Sequence, residues 1–395
     1  MSFASIEVSN TTPLLAGWYE PRQIDALQGL RSTEIKGLWR YWARAITAGA
    51  LYDKGLLVGR KVDGVNKVPS TLEAKAISCL IGKIMGLGYV GDSGAEQSRF
   101  KIRVEPLVPM RSVIKVYRKG FRELQRVSLL TIKEGLSYID KGAKFRITVR
   151  LERPKFRSAE EQALKVLVLA LQLSGVGKGG RRGLGSLDVL TVNGVSIPNK
   201  LHELIEDVYA AALDIVKAHK ECKLEEFSRS LQQTLPPMPS LSKQYFQGVA
   251  VSSVSIANIS FNDAHSFFLR SHRCRKLTNN PICFDDIRNN QVGWFLGLPR
   301  EQGGRGYLIP KWIRERDITR RASPLHVTYH EKNNVFGSGA YFTTLLSGDW
   351  PAVIMWNGKN MNIDDRAIVD AYKIVIGELQ QYVNACNANL SRVWP

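Results

Sequence analysis

No histidine occurs before His202, and the whole chain of 395 residues holds only six. The first half therefore has no imidazole for general acid–base work. Cysteine is sparse too. The five present (Cys79, Cys222, Cys274, Cys283, Cys386) are scattered, odd in number and never spaced as Cys-x-x-Cys. That pattern predicts free, reduced thiols in a cytoplasm and no disulfide framework. His265, His272, Cys274 and Cys283 could be gathered into a zinc site only at a spacing unlike common fingers or ribbons, so no metal or other cofactor is expected. No stretch approaches the roughly 18 apolar residues of a spanning helix, and residues 1–12 do not read as a targeting segment, so no membrane partner is expected. Acidic residues are short: 36 Asp and Glu face 55 Lys and Arg, a net charge of +19.

Hydrophobic residues make up 44% and charged residues 23%, so the chain folds, and its length suits two domains. The excess of cations favours a polyanion, nucleic acid first. It is concentrated: from Arg99 to Arg157 there are 17 Lys and Arg against 5 Asp and Glu.

Residues 174–186 carry six glycines with Lys178, Arg181 and Arg182 among them. Backbone stripped of side chains approaches a ligand closely, so Gly177, Gly179 and Gly180 read with those cations as a cradle of bare amides for phosphates. A tight turn without a ligand explains two or three glycines and leaves the rest. The string Gly175-x-Gly177-x-x-Gly180 mimics a dinucleotide fingerprint, but here a helix precedes it and a strand follows, the reverse of what that fingerprint requires. Weaker signals lie elsewhere. Lys36, Arg40 and Arg44 form a cationic stripe at helical spacing. Arg300 and Arg305 flank a second glycine loop, and Arg320 and Arg321 open a basic turn at Ala322-Ser323-Pro324.

The local patterns give an element order. A strand runs from Ile6. A helix starting at Ser32 or Thr33 turns Ile35, Leu38, Trp39, Trp42 and Ile46 inward. A capping box at Ser70 opens a further helix. Alternation marks strands at 101–105 and 144–152, a second capping box at Ser158 opens a helix through Leu173, and a strand follows from Leu187. Strand, helix, two strands, helix, strand is the order of a ferredoxin-like unit, so the fold class is α+β. Leu235-Pro236-Pro237-Met238-Pro239-Ser240 reads as a linker, a strand near Val353 closes the second region, and a long amphipathic helix follows Asp364. The boundaries are 1–198 for a first domain, 199–240 for a helical connector and linker, and 241–395 for a second.

Residues 30–44, 175–185 and 320–325 resemble the RAMP superfamily of CRISPR-associated proteins, and within it the family of the first-numbered subunit of the Cmr (type III-B) complex. The resemblance implies two ferredoxin-like domains and a place in a ribonucleoprotein with CRISPR RNA, single-stranded target RNA and other Cmr subunits as partners. It further implies a non-catalytic, cytoplasmic RNA binder, with Lys36, Arg40, Arg44, Lys178, Arg181 and Arg182 along the RNA path. Arg99, Arg300, Arg305, Arg320 and Arg321 are added as candidates from the basic segments. Two other readings compete: a metal-independent endoribonuclease, and a module whose basic face binds an acidic protein.

Overall fold

The computed structural model describes residues 3–91, 94–222, 234–279, 285–302, 305–314, 318–333 and 335–395. β1 (Phe3–Asn10) leads to α1 (Ser32–Asp53), β2 (Phe100–Pro106), β3 (Lys144–Leu151), α2 (Arg157–Leu173) and β4 (Leu187–Asn193). The strands pair antiparallel in the order β4-β1-β3-β2, a ferredoxin-like sheet. Period-two alternation decides its faces: β3 buries Phe145, Ile147, Val149 and Leu151 and exposes Lys144, Arg146 and Arg150. Both helices cover the apolar face. The Trp39 indole donates to the Ala163 carbonyl at 2.6 Å and its ring lies 4.9 Å from Phe100.

A second unit repeats the plan. β5 (Ser253–Ala257), β6 (Leu325–His330), β7 (Gly339–Thr344) and β8 (Ser391–Trp394) pair in the order β6-β7-β5-β8. By position along the chain this is the same strand order as the first sheet. A long crossover between β5 and β6 holds α4 (Arg270–Thr278), and α5 (Asp365–Ala385) precedes β8. α3 (Leu201–Ala218) packs on α1 and α2 of the first unit.

Three expectations need correction. Val353–Trp356 belongs to a separate four-stranded sheet, and β8 closes the second unit instead. β8 has only four residues and exposes Ser391 and Arg392, so it carries no alternation to read. The proline-rich linker is itself packed between the two units. Leu235 and Ser240 are buried, Ser240 and Leu346 exchange backbone hydrogen bonds at 2.8 Å, and a Cβ at Gly49 would fall 1.8 Å from the Leu241 carbonyl oxygen. α2 lacks the expected capping box: it begins at Arg157, and Glu160 accepts instead from the Lys155 amide at 3.0 Å. Nor are the thiols all reduced. Cys79 is bonded to Cys222, 143 residues away, and Cys274 is also disulfide-bonded, whereas Cys386 is free. Pairing over that distance leaves no local spacing to detect. The box at Ser70 does form, with Ser70 accepting from the Glu73 amide and Glu73 from that of Ser70. No helix among the described residues is long and apolar enough to cross a membrane.

Trp39→Ala should cost about 3–5 kcal/mol of stability by removing a fully buried ring and stranding the Ala163 carbonyl. Chemical denaturation of the two proteins measures it.

Candidate nucleic-acid interface

The chain between α2 and β4 folds as a hairpin around its own glycines. Gly175 and Gly180 pass so closely that a Cβ on either would meet the other's carbonyl oxygen, at 2.9 and 2.3 Å, while Gly177, Gly179, Gly183 and Gly185 sit at positive φ. All six glycines are therefore required by the hairpin itself. Its amides are mostly turned inward as well. The amide of Gly175 donates to the Gly180 carbonyl, that of Val176 to Gly185, that of Lys178 to Leu15 and that of Gly185 to Pro13. The hairpin's own close approaches account for the glycine content, while Gly177, Gly179 and Gly180 face a cavity.

The loop forms one wall of a cleft. A cavity of about 740 Å³ opens between the glycine loop, the first turns of α1 at Thr33, Gly37 and Tyr41, and two turns of the second unit at 296–299 and 320–323. Five arginines line it (Arg126, Arg181, Arg182, Arg320, Arg321), against the single carboxylate of Glu34. Glu34 is engaged by Arg31 at 3.2 Å. Arg321 is matched by Asp349 at 2.6 Å. Among the described residues, the other four arginines have no carboxylate in ion-pair contact.

Neutral groups hold two of them, Arg181 and Arg182, in place. Arg181 donates to the Ser323 carbonyl at 3.0 Å and lies 5.0 Å from the centre of the Tyr41 ring. Arg182 donates to Gln125 Oε1 at 3.3 Å and sits 5.4 Å from the Phe268 ring. Arg126 comes from the helix Gln125–Thr131, and its buried Nε has no acceptor. Arg320 is exposed at the rim. Burial, followed by the charge of Arg126, pushes Arg182 down to about 10. Burial and then Arg320 lower Arg126. Arg126, Arg181 and Arg182 are thus destabilised by desolvation first and then by a neighbouring arginine, a cost that an incoming anion would relieve.

The other candidates lie elsewhere. Gly177, Gly179 and Gly180 line the cleft, and Lys178 stands at its lip, donating to the Pro21 carbonyl. Lys36, Arg40 and Arg44 do not line it; Arg40 is tied to the Leu87 carbonyl at 2.8 Å through Nε. Arg99 is a structural arginine. It is buried, with Nε 2.5 Å from Glu160, Nη1 2.8 Å from Glu96, and further bonds to the carbonyls of Lys83 and Ile84, so nothing remains to offer RNA. Its place in a basic run concealed that role. Arg300 donates to the Phe268 carbonyl at 2.5 Å, and burial, then Arg182 and Arg273, push it down to about 9. Arg305 is exposed on a hairpin outside the cleft, and Gly303 and Gly304 of that loop lie outside the described residues.

Sequence reasoning missed Arg126, although the basic run contained it, and misjudged histidine. His326, on β6, reaches into the first unit. Its Nε2 lies 3.2 Å from the Tyr41 hydroxyl and its Nδ1 3.3 Å from Ser174 Oγ, with the ring stacked on Tyr41. An imidazole thus stands in the cleft wall despite its absence from the first half of the sequence. The zinc set is not assembled: Cys274 is disulfide-bonded, His265 Nδ1 lies 2.8 Å from the Arg182 carbonyl, and Cys283 lies outside the described residues. Asp285 and Asp364, each followed by a second aspartate, act as helix caps, Asp285 accepting from the Arg288 amide and Asp364 from that of Ala367.

Residues 7–188 match the family model of the RAMP superfamily. Among solved structures, the chain aligns over 100% of its length with 99% of Cmr1 from Pyrococcus furiosus in its apo form, at 18% identity and a TM-score of 0.48. It also aligns over 95% of its length with 99% of a chain of the type III-B Cmr-beta complex bound to cognate target RNA, at 14% identity and a TM-score of 0.49. No curated protein matches it.

His265 supports the glycine loop from below and gives it a pH dependence. Burial holds its pKa down at about 4, against 6.5 for a free histidine, and its Nε2 has no partner. The unfolded chain therefore takes up this proton first as pH falls. Stability should drop from about pH 6.5 to about pH 4 by up to about 3 kcal/mol, and level off below. His265→Gln should flatten that part of the profile when both proteins are melted across pH.

Proposed function

Taking as premise that residues 7–188 form a RAMP-superfamily domain, we propose that this chain is a non-catalytic RNA-binding subunit of a type III-B CRISPR ribonucleoprotein. The cleft between its two units holds a ribose–phosphate strand of CRISPR RNA or captured target RNA. The observation that carries this reading is the set of four arginines in the cleft that, among the described residues, no carboxylate matches. Three of them, Arg126, Arg181 and Arg182, have their pKa values held down by burial first and then by a neighbouring arginine, which suits a polyanion. An acidic protein could use the same charge, but a groove walled by backbone turns suits a narrow phosphate chain better than a folded surface. The assignment to the Cmr complex rests on the sequence resemblance of residues 30–44, 175–185 and 320–325.

A nuclease reading draws some support from His326 and Tyr41. The geometry of His326 weighs against it. The ring is buried, both nitrogens are engaged, and burial, then Arg181 and Arg321, hold its pKa well below the usual value. A general base needs access to a 2′-hydroxyl proton, which this imidazole does not have.

If about five phosphates are neutralised, binding of single-stranded RNA should fall with a log–log salt slope near −3.5. Arg126→Ala with Arg320→Ala should make that slope shallower by about 1.4 and weaken binding regardless of sequence. A flat salt response in the unmodified protein would count against the cleft. Purified chain incubated with CRISPR repeat RNA in EDTA should leave it intact. Discrete fragments ending in cyclic phosphate would assign the protein to the nucleases.

A further inference from the structure

Most large aromatic side chains here are interior: Trp39, Trp42, Trp294, Trp350 and Trp394 are all buried. Trp18 and Tyr19 are different. They are adjacent in sequence and 48% and 93% exposed. Their loop is fixed at both ends beside the cleft. Upstream, Leu14 exchanges backbone hydrogen bonds with Ile139 at 2.9 Å, and the Leu15 carbonyl accepts the Lys178 amide at 3.0 Å. Downstream, the Pro21 carbonyl accepts Lys178 Nζ, and Arg22 is held by Glu134 at 3.0 Å and by the Leu130 carbonyl at 3.2 Å. The contact with the glycine loop is tight, since a Cβ on Gly177 would lie 2.7 Å from the Leu15 carbonyl oxygen. Gly177 itself lines the cleft. Two solvated aromatics therefore sit on a short, anchored loop at the lip of a cationic groove.

We propose that Trp18 and Tyr19 form a stacking platform for an unpaired nucleobase of the strand that the cleft holds. This rests on the RNA-binding reading and adds the form of the ligand. The cleft arginines take phosphates, which every strand offers, whereas a ring face rewards only a base free of a partner. Lys178, tied to the same loop, places positive charge next to the platform, where the phosphate of the stacked nucleotide would lie. The ligand class is single-stranded RNA with exposed bases; a continuous duplex hides its base faces and gains nothing there.

The test uses the full chain, an oligoadenylate, and an abasic ribose–phosphate oligomer of equal length, at one salt concentration. Trp18→Ala with Tyr19→Ala touches only exposed side chains. It should weaken oligoadenylate binding about tenfold and leave the abasic oligomer unchanged. Trp18→Phe with Tyr19→Phe should restore most of the loss. Equal weakening for both probes would show that the loop acts through cleft shape, and no weakening for either would show that the rings face another partner; each overturns the platform. If the unmodified chain binds neither probe, the RNA reading fails and the platform with it.

Discussion

Guanidinium groups that have left bulk water without meeting a carboxylate govern the surface between the two units. Two like charges a few ångströms apart in a partly desolvated site repel by a few kcal/mol at an effective dielectric near ~20. Arg181 and Arg182 tolerate this because neutral partners engage their N–H groups and ring faces without cancelling their charge. The Ser323 carbonyl, the Gln125 amide oxygen and the faces of Tyr41 and Phe268 fill that role. The buried Nε of Arg126, by contrast, has no acceptor among the described residues. Three other arginines show the contrast. Arg99 meets Glu160 and Glu96, Arg273 meets Asp285 and Glu378, and Arg321 meets Asp349. In those the charge is spent on the fold.

The glycine loop is also the joint between the two ferredoxin-like units. The Val327 amide of β6 donates to the Arg181 carbonyl at 3.0 Å, and the Thr328 hydroxyl reaches the Gln172 carbonyl at 2.9 Å. A Cβ on Gly183 would crowd the Phe261 ring of the second unit at 3.2 Å. His326 and His330 dock on the first unit from the same strand, His330 on Asp188 at 3.0 Å. The cleft thus owes its shape to an interface, and its cations come from both sides of that interface. A change that loosens β6 from the loop would spread the arginines apart even with every one of them present.

That dependence on an interface explains what could be read from the chain and what could not. Trp39, Trp42, Phe145 and Ile147 were legible because helical and strand periodicity are local, and from them the first ferredoxin-like unit follows. The capping box at Ser70 was legible for the same reason. Arg99 and Arg181 look alike in sequence, since each is one cation in a basic stretch. Only the fold places Glu160 beside the first and none beside the second. His326 lies 152 residues from Ser174, and Cys79 lies 143 from Cys222, so neither contact leaves a spacing to recognise. The density of glycines marked a special backbone, and the hairpin's own close approach accounts for it.

The commitment of the arginines also limits what the cleft can discriminate. Direct reading of a base edge requires a guanidinium that presents two parallel N–H groups to the base. Arg181 and Arg182 each spend one such group on a protein oxygen and one face on a ring, and Arg321 has given its fork to Asp349. What these three retain is charge with little directional reach, which fits phosphate and is indifferent to sequence. A strand held here would be held by its backbone, so any choice among RNAs must be made by base pairing to a second strand or by whatever meets the bases at the cleft's edge.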